Sequence, residues 1–468
     1  MLKSKVFLFL FFSPLILFSQ DSLRVLNVEQ LIQIVKTYHP VVKQASIEVQ
    51  MASANILNAR SAFDPVLRHY EAKKTFDNVN YYQYSGTELS IPTWYGIEVK
   101  AGLENLSGNK TDASQYLGQS NYVGISIPLL KNLVLDKRRA HLQQAKIMKN
   151  QVQMEQRLVI NDIIMEAIEH YWNWVKAYQT YQIYKQVEQV NKERFQLVKK
   201  SYLNGERPAI DTIEAMAQWQ SITIKKESEK LKFINAGVQL SAYLWTANEN
   251  PYEISQNLIP NEAWLNEVNL KNFNLNLTDL CQTANKNHPY LLAYQYKIES
   301  LEVNQRLKFQ ELLPKVDYQY NQLGKKDHIF NTATQFPLYQ NNFQYGLKVE
   351  IPLRFSQGRS EYKLAKFKIK EVQYDIDMKQ LEIQNKIEMY YNQYQTLKSQ
   401  VDMQLSNLTM YNTLVSAEMT RYQNGESTLF LINSRENKAL ESQEKWIEYQ
   451  TQYFKTLYSV QWSAGLLY

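Results

Sequence analysis

Six histidines are the first place to look for chemistry, and their spacing offers none. No His-Glu-x-x-His places two imidazoles on one helical face for a zinc ion, and no histidine pair lies close in sequence. No Gly-x-Ser-x-Gly turn presents a nucleophilic serine. The stretch 102–110 approaches a phosphate-binding loop, but Asn109 separates Gly108 from Lys110 and the spacing fails. A single cysteine, Cys281, excludes an intrachain disulfide and a thiolate metal cluster, and reads as a small residue on a helix face. No carboxylate pair stands out from solvated helix faces. No catalytic, cofactor-binding or metal-binding residue is therefore expected, and no enzyme. What remains is ionic. Arg207, Asp211 and Glu214 follow one Asn-Gly pair, and Arg435 and Glu436 follow another.

Two long runs must position those charges. Residues 129–204 and 359–424, of 76 and 66 residues, contain no glycine and no proline. At about 1.5 Å per residue each could form a rod of roughly 100 Å. They end in Tyr202-Leu203-Asn204-Gly205-Glu206 and Tyr422-Gln423-Asn424-Gly425-Glu426. Asn and Gly tolerate the left-handed conformation that closes a helix. Helical sequence resumes after each stop, so each rod is expected to turn back as a hairpin. The second rod carries Ile387, Tyr394, Val401, Leu408, Val415 and Tyr422 seven apart, a period that implies left-handed supercoiling. The first has Ile160, Ala167, Trp174, Tyr181, Glu188, Phe195 and Tyr202, with one charge in the column. Both columns read as packing seams. Asp211 with Glu214, and Asn433 with Glu436, have the spacing of a helix-capping box.

The chain repeats itself. Leu31, Gln33, His39, Pro40, Asn55 and Pro65 match Leu280, Gln282, His288, Pro289, Asn304 and Pro314 at a constant offset of 249. Ile127-Pro128-Leu129 matches Ile351-Pro352-Leu353, and the rod stops match at an offset of 220. Landmarks in the same order argue for a duplicated unit. The first repeat is expected over 21–270: helices 27–63, strands about 66–130, rod helix 131–204, return helix 206–248 and an irregular equatorial segment 249–270. The second is expected over 271–468: helices 276–312, strands about 315–354, rod helix 359–424 and return helix 426–466. His-Pro breaks the paired helices in each repeat, with proline suited to a first turn.

Residues 1–20 read as a secretory leader: Lys3 and Lys5 precede an apolar stretch at 6–18, too short to span a membrane. An uncleaved anchor is the alternative. The net charge of +6 is too small and too scattered for nucleic acid, which is not expected as a partner. Thirty-three tyrosines suggest polar, wettable surfaces, and scarce glycine and proline argue against disorder.

Period-two alternation marks 121–130, 343–353 and the short run 316–320, with looser candidates at 66–76 and 86–104. Polar loops are expected at 106–120 and 321–342. Most of these segments have the 9–11 residues of a tilted membrane strand. Two strands per repeat give four per chain, with a further hairpin within 80–110 left open. An open edge in lipid leaves backbone groups unsatisfied. Four strands cannot close alone, since the smallest single-chain barrels use eight. The chain must then assemble with copies of itself. The alternative is a small sheet capping a soluble coiled-coil rod.

On its duplicated order of helices, strands, rod and hairpin, the chain resembles the TolC-like outer-membrane efflux proteins. The sharper marks are Phe63-Asp64-Pro65, Ile127-Pro128-Leu129 and the paired Tyr-x-Asn-Gly turns. The resemblance covers nearly the whole chain after the leader. It implies a mainly α fold with membrane β: antiparallel helical hairpins form an α-barrel, topped by a trimeric transmembrane β-barrel of twelve strands. It implies a homotrimer in the outer membrane, in contact with its lipid and extending into the periplasm. A periplasmic adaptor and an inner-membrane transporter would be its partners. The expected function is the passive exit duct of a tripartite efflux pump or a type I secretion system. A non-channel periplasmic coiled-coil scaffold or adaptor is the alternative. The resemblance further implies a periplasmic gate at Asp211, which stands six residues after the turn glycine, with Arg207, Glu214 and Arg435 beside it. Pairing of Asp211 with Arg435 of a neighbouring hairpin would be the latch, although Leu431 replaces the acid in the second repeat. Adaptor docking is expected at Leu203, Asn204, Gly205, Glu206, Gln423, Asn424, Gly425 and Glu426.

Overall fold

The computed structural model describes residues 24–109, 116–252, 254, 258–262, 275–325 and 342–468. The expected leader, Trp264 and most of the 321–342 loop lie outside the described residues. The fold is mainly helical with one principal sheet. In chain order the elements are β1 (Arg24–Leu26), α1 (Val28–Tyr38), α2 (Pro40–Ser61), β2 (Val66–Phe76), β3 (Val79–Pro92), β4 (Glu98–Ser107) and β5 (Gly118–Pro128). The long helix α3 (Lys137–Leu203) and α4 (Ala209–Ser241) follow, then β6 (Leu258–Pro260), α5 (Leu277–Asn287) and α6 (Pro289–Gln310). The chain ends with β7 (Lys315–Lys325), β8 (Phe343–Glu350), the long helix α7 (Ser356–Gln423) and α8 (Leu429–Ser463). Two compact units are distinguished.

One unit comprises Met1–His39, Ile164–Asn274 and Asn392–Ser459 and holds both hairpin turns. Its interior is aromatic. Trp172 of α3 stacks on Phe454 of α8 at 4.9 Å between centroids, and Tyr394 of α7 stacks on Tyr453 of α8 at 5.2 Å. Phe233 of α4 packs against Trp174, Tyr178 and Tyr181 of α3. The predicted α7 column is interior at Tyr394, Val401 and Leu408. In the α3 column Ala167 and Trp174 are buried while Tyr202 is 43% exposed. Glu188, the charge in that column, accepts the indole N–H of Trp219 at 2.9 Å, so it is paired across the seam. Part of 249–270 is regular, contrary to expectation: β6 pairs in parallel with β1, from Arg24 opposite Leu258 to Leu26 opposite Pro260.

The other unit comprises Pro40–Ile163, Leu275–Tyr391 and Val460–Tyr468. It carries a sheet of six strands in the order β2-β3-β4-β5-β7-β8, every pair antiparallel. The expectation of four strands is corrected to six. The looser candidate 86–104 is two strands, parted by a turn at 93–97 in which Gly96 adopts a φ of +83°. Asp77 and Asn78, at φ 50° and 54°, make the tight hairpin between β2 and β3. The alternation of β3 is hidden in sequence because its far half is polar on both faces. The run at 316–320 extends to Lys325, because Asn321 to Lys325 pair with Ser120 to Gly124 of β5.

Period two sorts the sheet into two faces. One carries Leu89, Ile91, Val99, Leu103, Val123, Ile125, Tyr318, Tyr320, Tyr345 and Leu347. The other carries Arg68, Glu88, Ser90, Glu98, Lys100, Glu104, Ser126, Asp317, Gln319 and Lys348. On the polar face, the hydroxyls of Tyr84 and Tyr122 donate to the carboxylates of Glu104 at 3.0 Å and Glu88 at 2.6 Å. Those rings lie flat across Gly86 and Gly102, where a Cβ would collide with them.

Two helix starts also differ from expectation. The rod expected from 131 begins at Lys137, because the Asp136 carboxylate accepts the Arg139 N–H at 2.8 Å and caps the helix there. The rod expected from 359 begins at Ser356. Gly358 sits inside its first turn, where a Cβ would lie 2.6 Å from the Glu311 carbonyl oxygen.

Candidate functional site: the paired hairpin turns

Both turns are built alike, atom for atom. Gly205 and Gly425 have φ of +76° and +77°. Gly205 N–H donates to Tyr202 O at 2.9 Å and Glu206 N–H to Ser201 O at 3.0 Å. Gly425 N–H donates to Tyr422 O at 3.1 Å and Glu426 N–H to Arg421 O at 2.9 Å. This pair of bonds is the Schellman closure, which needs a left-handed residue after the helix. Nothing lies within 4 Å of a Cβ built on either glycine, so conformation alone selects glycine there. All eight predicted docking residues, at 203–206 and 423–426, are exposed, Leu203 at 73%.

The charges after the turns divide into three groups. Arg207 lies 3.3 Å from the Asp211 carboxylate, and its guanidinium sits 4.2 Å over the Tyr422 ring of the other hairpin. Burial pushes the Tyr422 phenol up. Deeper in, Glu214 accepts from the Asn433 amide at 3.1 Å, and Arg194 of α3 makes a two-pronged ion pair with Glu436 of α8. Arg435 lies 3.8 Å from Glu418, a buried carboxylate that also accepts the Ser427 hydroxyl at 2.5 Å. Within one chain, then, Asp211 is held by Arg207 and Arg435 faces Glu418. Leu431, which takes the place of Asp211 in the second hairpin, is 40% exposed.

The capping-box readings are corrected. α4 starts at Ala209 with Pro208 as N-cap, so Asp211 lies in the first turn, where a carboxylate favours the helix dipole. α8 starts at Leu429 after Thr428, whose hydroxyl accepts the Leu431 N–H at 3.4 Å, so Asn433 and Glu436 are inside the helix. The sequence reading missed Arg194, Tyr422 as a ring for Arg207, and Glu418. Only Tyr422 carried a signal, as part of the repeated turn.

Residues 280–465, α5 through α8, match the outer membrane efflux protein family. No curated protein matches the sequence. Among solved structures, the Campylobacter jejuni CmeC outer membrane channel is similar at 14% identity and a TM-score of 0.64, over 94% of this chain and 86% of that one. The Vibrio cholerae outer membrane protein VceC is similar at 13% identity and 0.63, over 94% and 96%. The Neisseria gonorrhoeae MtrE outer membrane channel, solved in its open state, is similar at 11% identity and 0.64, over 94% and 88%. At these identities the likeness establishes the fold.

Proposed function

From a chain whose residues 280–465 match the outer membrane efflux protein family and which has the fold of outer-membrane efflux channels, we propose that this protein is an outer-membrane efflux channel. It is the passive exit duct of a tripartite pump or type I secretion system. It acts as a homotrimer, whose helices line the periplasmic passage and whose strands close a barrel in the outer membrane. An inner-membrane transporter delivers the substrate, and a periplasmic adaptor contacts the turns at 203–206 and 423–426. The chain is two tandem repeats, a reading supported by the identical bonding of the two turns. Asp211, Arg207, Glu214 and Arg435 form the periplasmic gate.

The observation that carries this reading is apolar surface without a partner inside the chain. On α4, Ile210, Ala217, Ile224, Leu231 and Val238 stand seven apart and all are exposed, Ile224 at 72%. On α7, Phe367, Tyr374 and Leu381 stand seven apart and are 54%, 58% and 58% exposed. Columns of this period are coiled-coil seams waiting for another helix. The six-stranded sheet adds an apolar face, a polar face and two open edges. That sheet argues against the scaffold or adaptor reading, which has no use for an amphipathic wall. Membrane fractionation and native mass test the proposal: the protein should need detergent and run as three copies. A monodisperse water-soluble single subunit would overturn it.

A further inference from the structure

Resting on the proposal above that copies assemble around one axis, we infer that each copy contributes all six strands to the wall. Three copies then close an eighteen-stranded barrel, with β2 of one copy paired to β8 of the next.

The added pair, β3 and β4, is no flap. β3 is hydrogen-bonded along both edges, to β2 from Val66 opposite Ser90 and to β4 from Gln83 opposite Ser107. β4 is bonded in turn to β5. Both strands share the wall's two-sided chemistry. Leu89, Ile91, Val99 and Leu103 point to the same side as Val123 and Ile125 of β5, and Glu88, Glu98 and Glu104 point to the polar side. A hairpin lying free in water would not repeat that division.

The apolar belts of neighbouring strands also meet in one row. Ile91 of β3 stands opposite Val99 of β4, Val99 opposite Ile125 of β5, Ile125 opposite Tyr320 of β7, and Tyr320 opposite Tyr345 of β8. The belt of β5, β7 and β8 therefore runs on into the added pair, so the added strands cross the same slab.

The outermost strands have the right sense for closure by rotation. β2 runs away from the helix-bearing end and β8 runs toward it, because an even number of antiparallel strands separates them. Neighbouring copies therefore present antiparallel edges. Neither edge is short, and β8 exposes Tyr345, Leu347 and Val349 at 62%, 59% and 52%. Soluble proteins blunt such edges, and lipid forbids leaving them open. A second copy is the occupant because it alone brings a complementary edge to the same depth. Barrel diameter grows about linearly with strand number, so this wall is roughly half as wide again as one of twelve, in the range that leaves an aqueous channel.

Cysteine pairing in a Cys281→Ser background tests this. His69→Cys on β2 is combined in turn with Phe343→Cys, Tyr345→Cys or Leu347→Cys on β8, positions on one side of the wall. A disulfide needs Cα atoms about 4.4–6.8 Å apart, so only adjacent strands report. Oxidised membranes should give reducible covalent dimers and trimers with at least one β8 position. Leu103→Cys on β4 should give none with the same set, and Leu67→Cys with Leu89→Cys should close within one chain. A native trimer lacking the β2–β8 links, or forming β4–β8 links, overturns the inference and leaves the channel reading intact. A monomer by native mass overturns both. An image of the unaltered trimer at strand resolution decides without variants: eighteen supports the inference and twelve ends it.

Discussion

Arg207 is where the two hairpin turns converge, bonded to Asp211 on its own side and stacked on Tyr422 across the gap. A partly buried ion pair and a cation–π contact together supply about 1–2 kcal/mol, which in the proposed gate would bias a closed state and still let it release. Arg207→Ala removes both contacts, Asp211→Ala only one. Single-channel recordings should show longer or larger openings for both, with Arg207→Ala the stronger by up to roughly tenfold in open population. Wild-type conductance in both variants would count against a latch. A second residue-scale effect lies at the paired His-Pro breaks. Burial pushes His39 and His288 down, His288 to about 4 with Lys386 and Lys379 adding to it. An unfolded histidine titrates near 6.5, so between roughly 6.5 and 4 the unfolded chain binds the extra proton. For His288 this stabilisation is complete above 6.5 and is lost as pH falls toward 4, by at most about 1.4 kcal/mol per pH unit. Thermal unfolding of His288→Asn should lose part of the wild-type decline between pH 6.5 and 4.5, and an unchanged decline would dismiss His288 as its source.

Helix ends were legible where the backbone demanded one residue type, as at Gly205 and Gly425, whose positive φ announces itself in sequence. Strands were legible where one face is apolar, as in β8 and over Val123, Ile125 and Ile127 of β5. β2 and β3 were harder: His69, Glu71 and Lys73 share a face with Thr87, Ser85 and Gln83, so alternation survives only in the near half of β3, at Leu89 and Ile91. Pairs between distant elements carry no local signal at all. Arg194 and Glu436 lie 242 positions apart, yet they bind α3 to α8 with only 12% and 15% of their side chains exposed. Removing one partner of so enclosed a pair strands the other charge, at about 3–5 kcal/mol. Arg194→Met and Glu436→Leu should each lower the unfolding midpoint sharply, while the double variant recovers much of the loss. Additive losses in that cycle would mean the two side chains act independently.

At the scale of the whole molecule, the period of a column can be read from sequence but its partner cannot. The column found on α7 is interior at Tyr394, Val401 and Leu408, whereas Ile210, Ile224, Leu231 and Val238 on α4 have the same period and face outward. Nothing in residue type separates the two cases; only the fold tells which seam is already filled. Burying one such side chain contributes about 1.5–3 kcal/mol, and the column is repeated in every copy, so the seam should dominate assembly. Ile224→Glu combined with Leu231→Glu places two carboxylates in that seam at positions 72% and 58% exposed within the chain. Native gels should then show single subunits in place of trimers, and far-ultraviolet circular dichroism should keep its helical signal. Trimers that survive both substitutions would assign assembly to the sheet edges alone. Loss of helicity together with loss of trimers would mean that α4 folds only against a neighbouring copy.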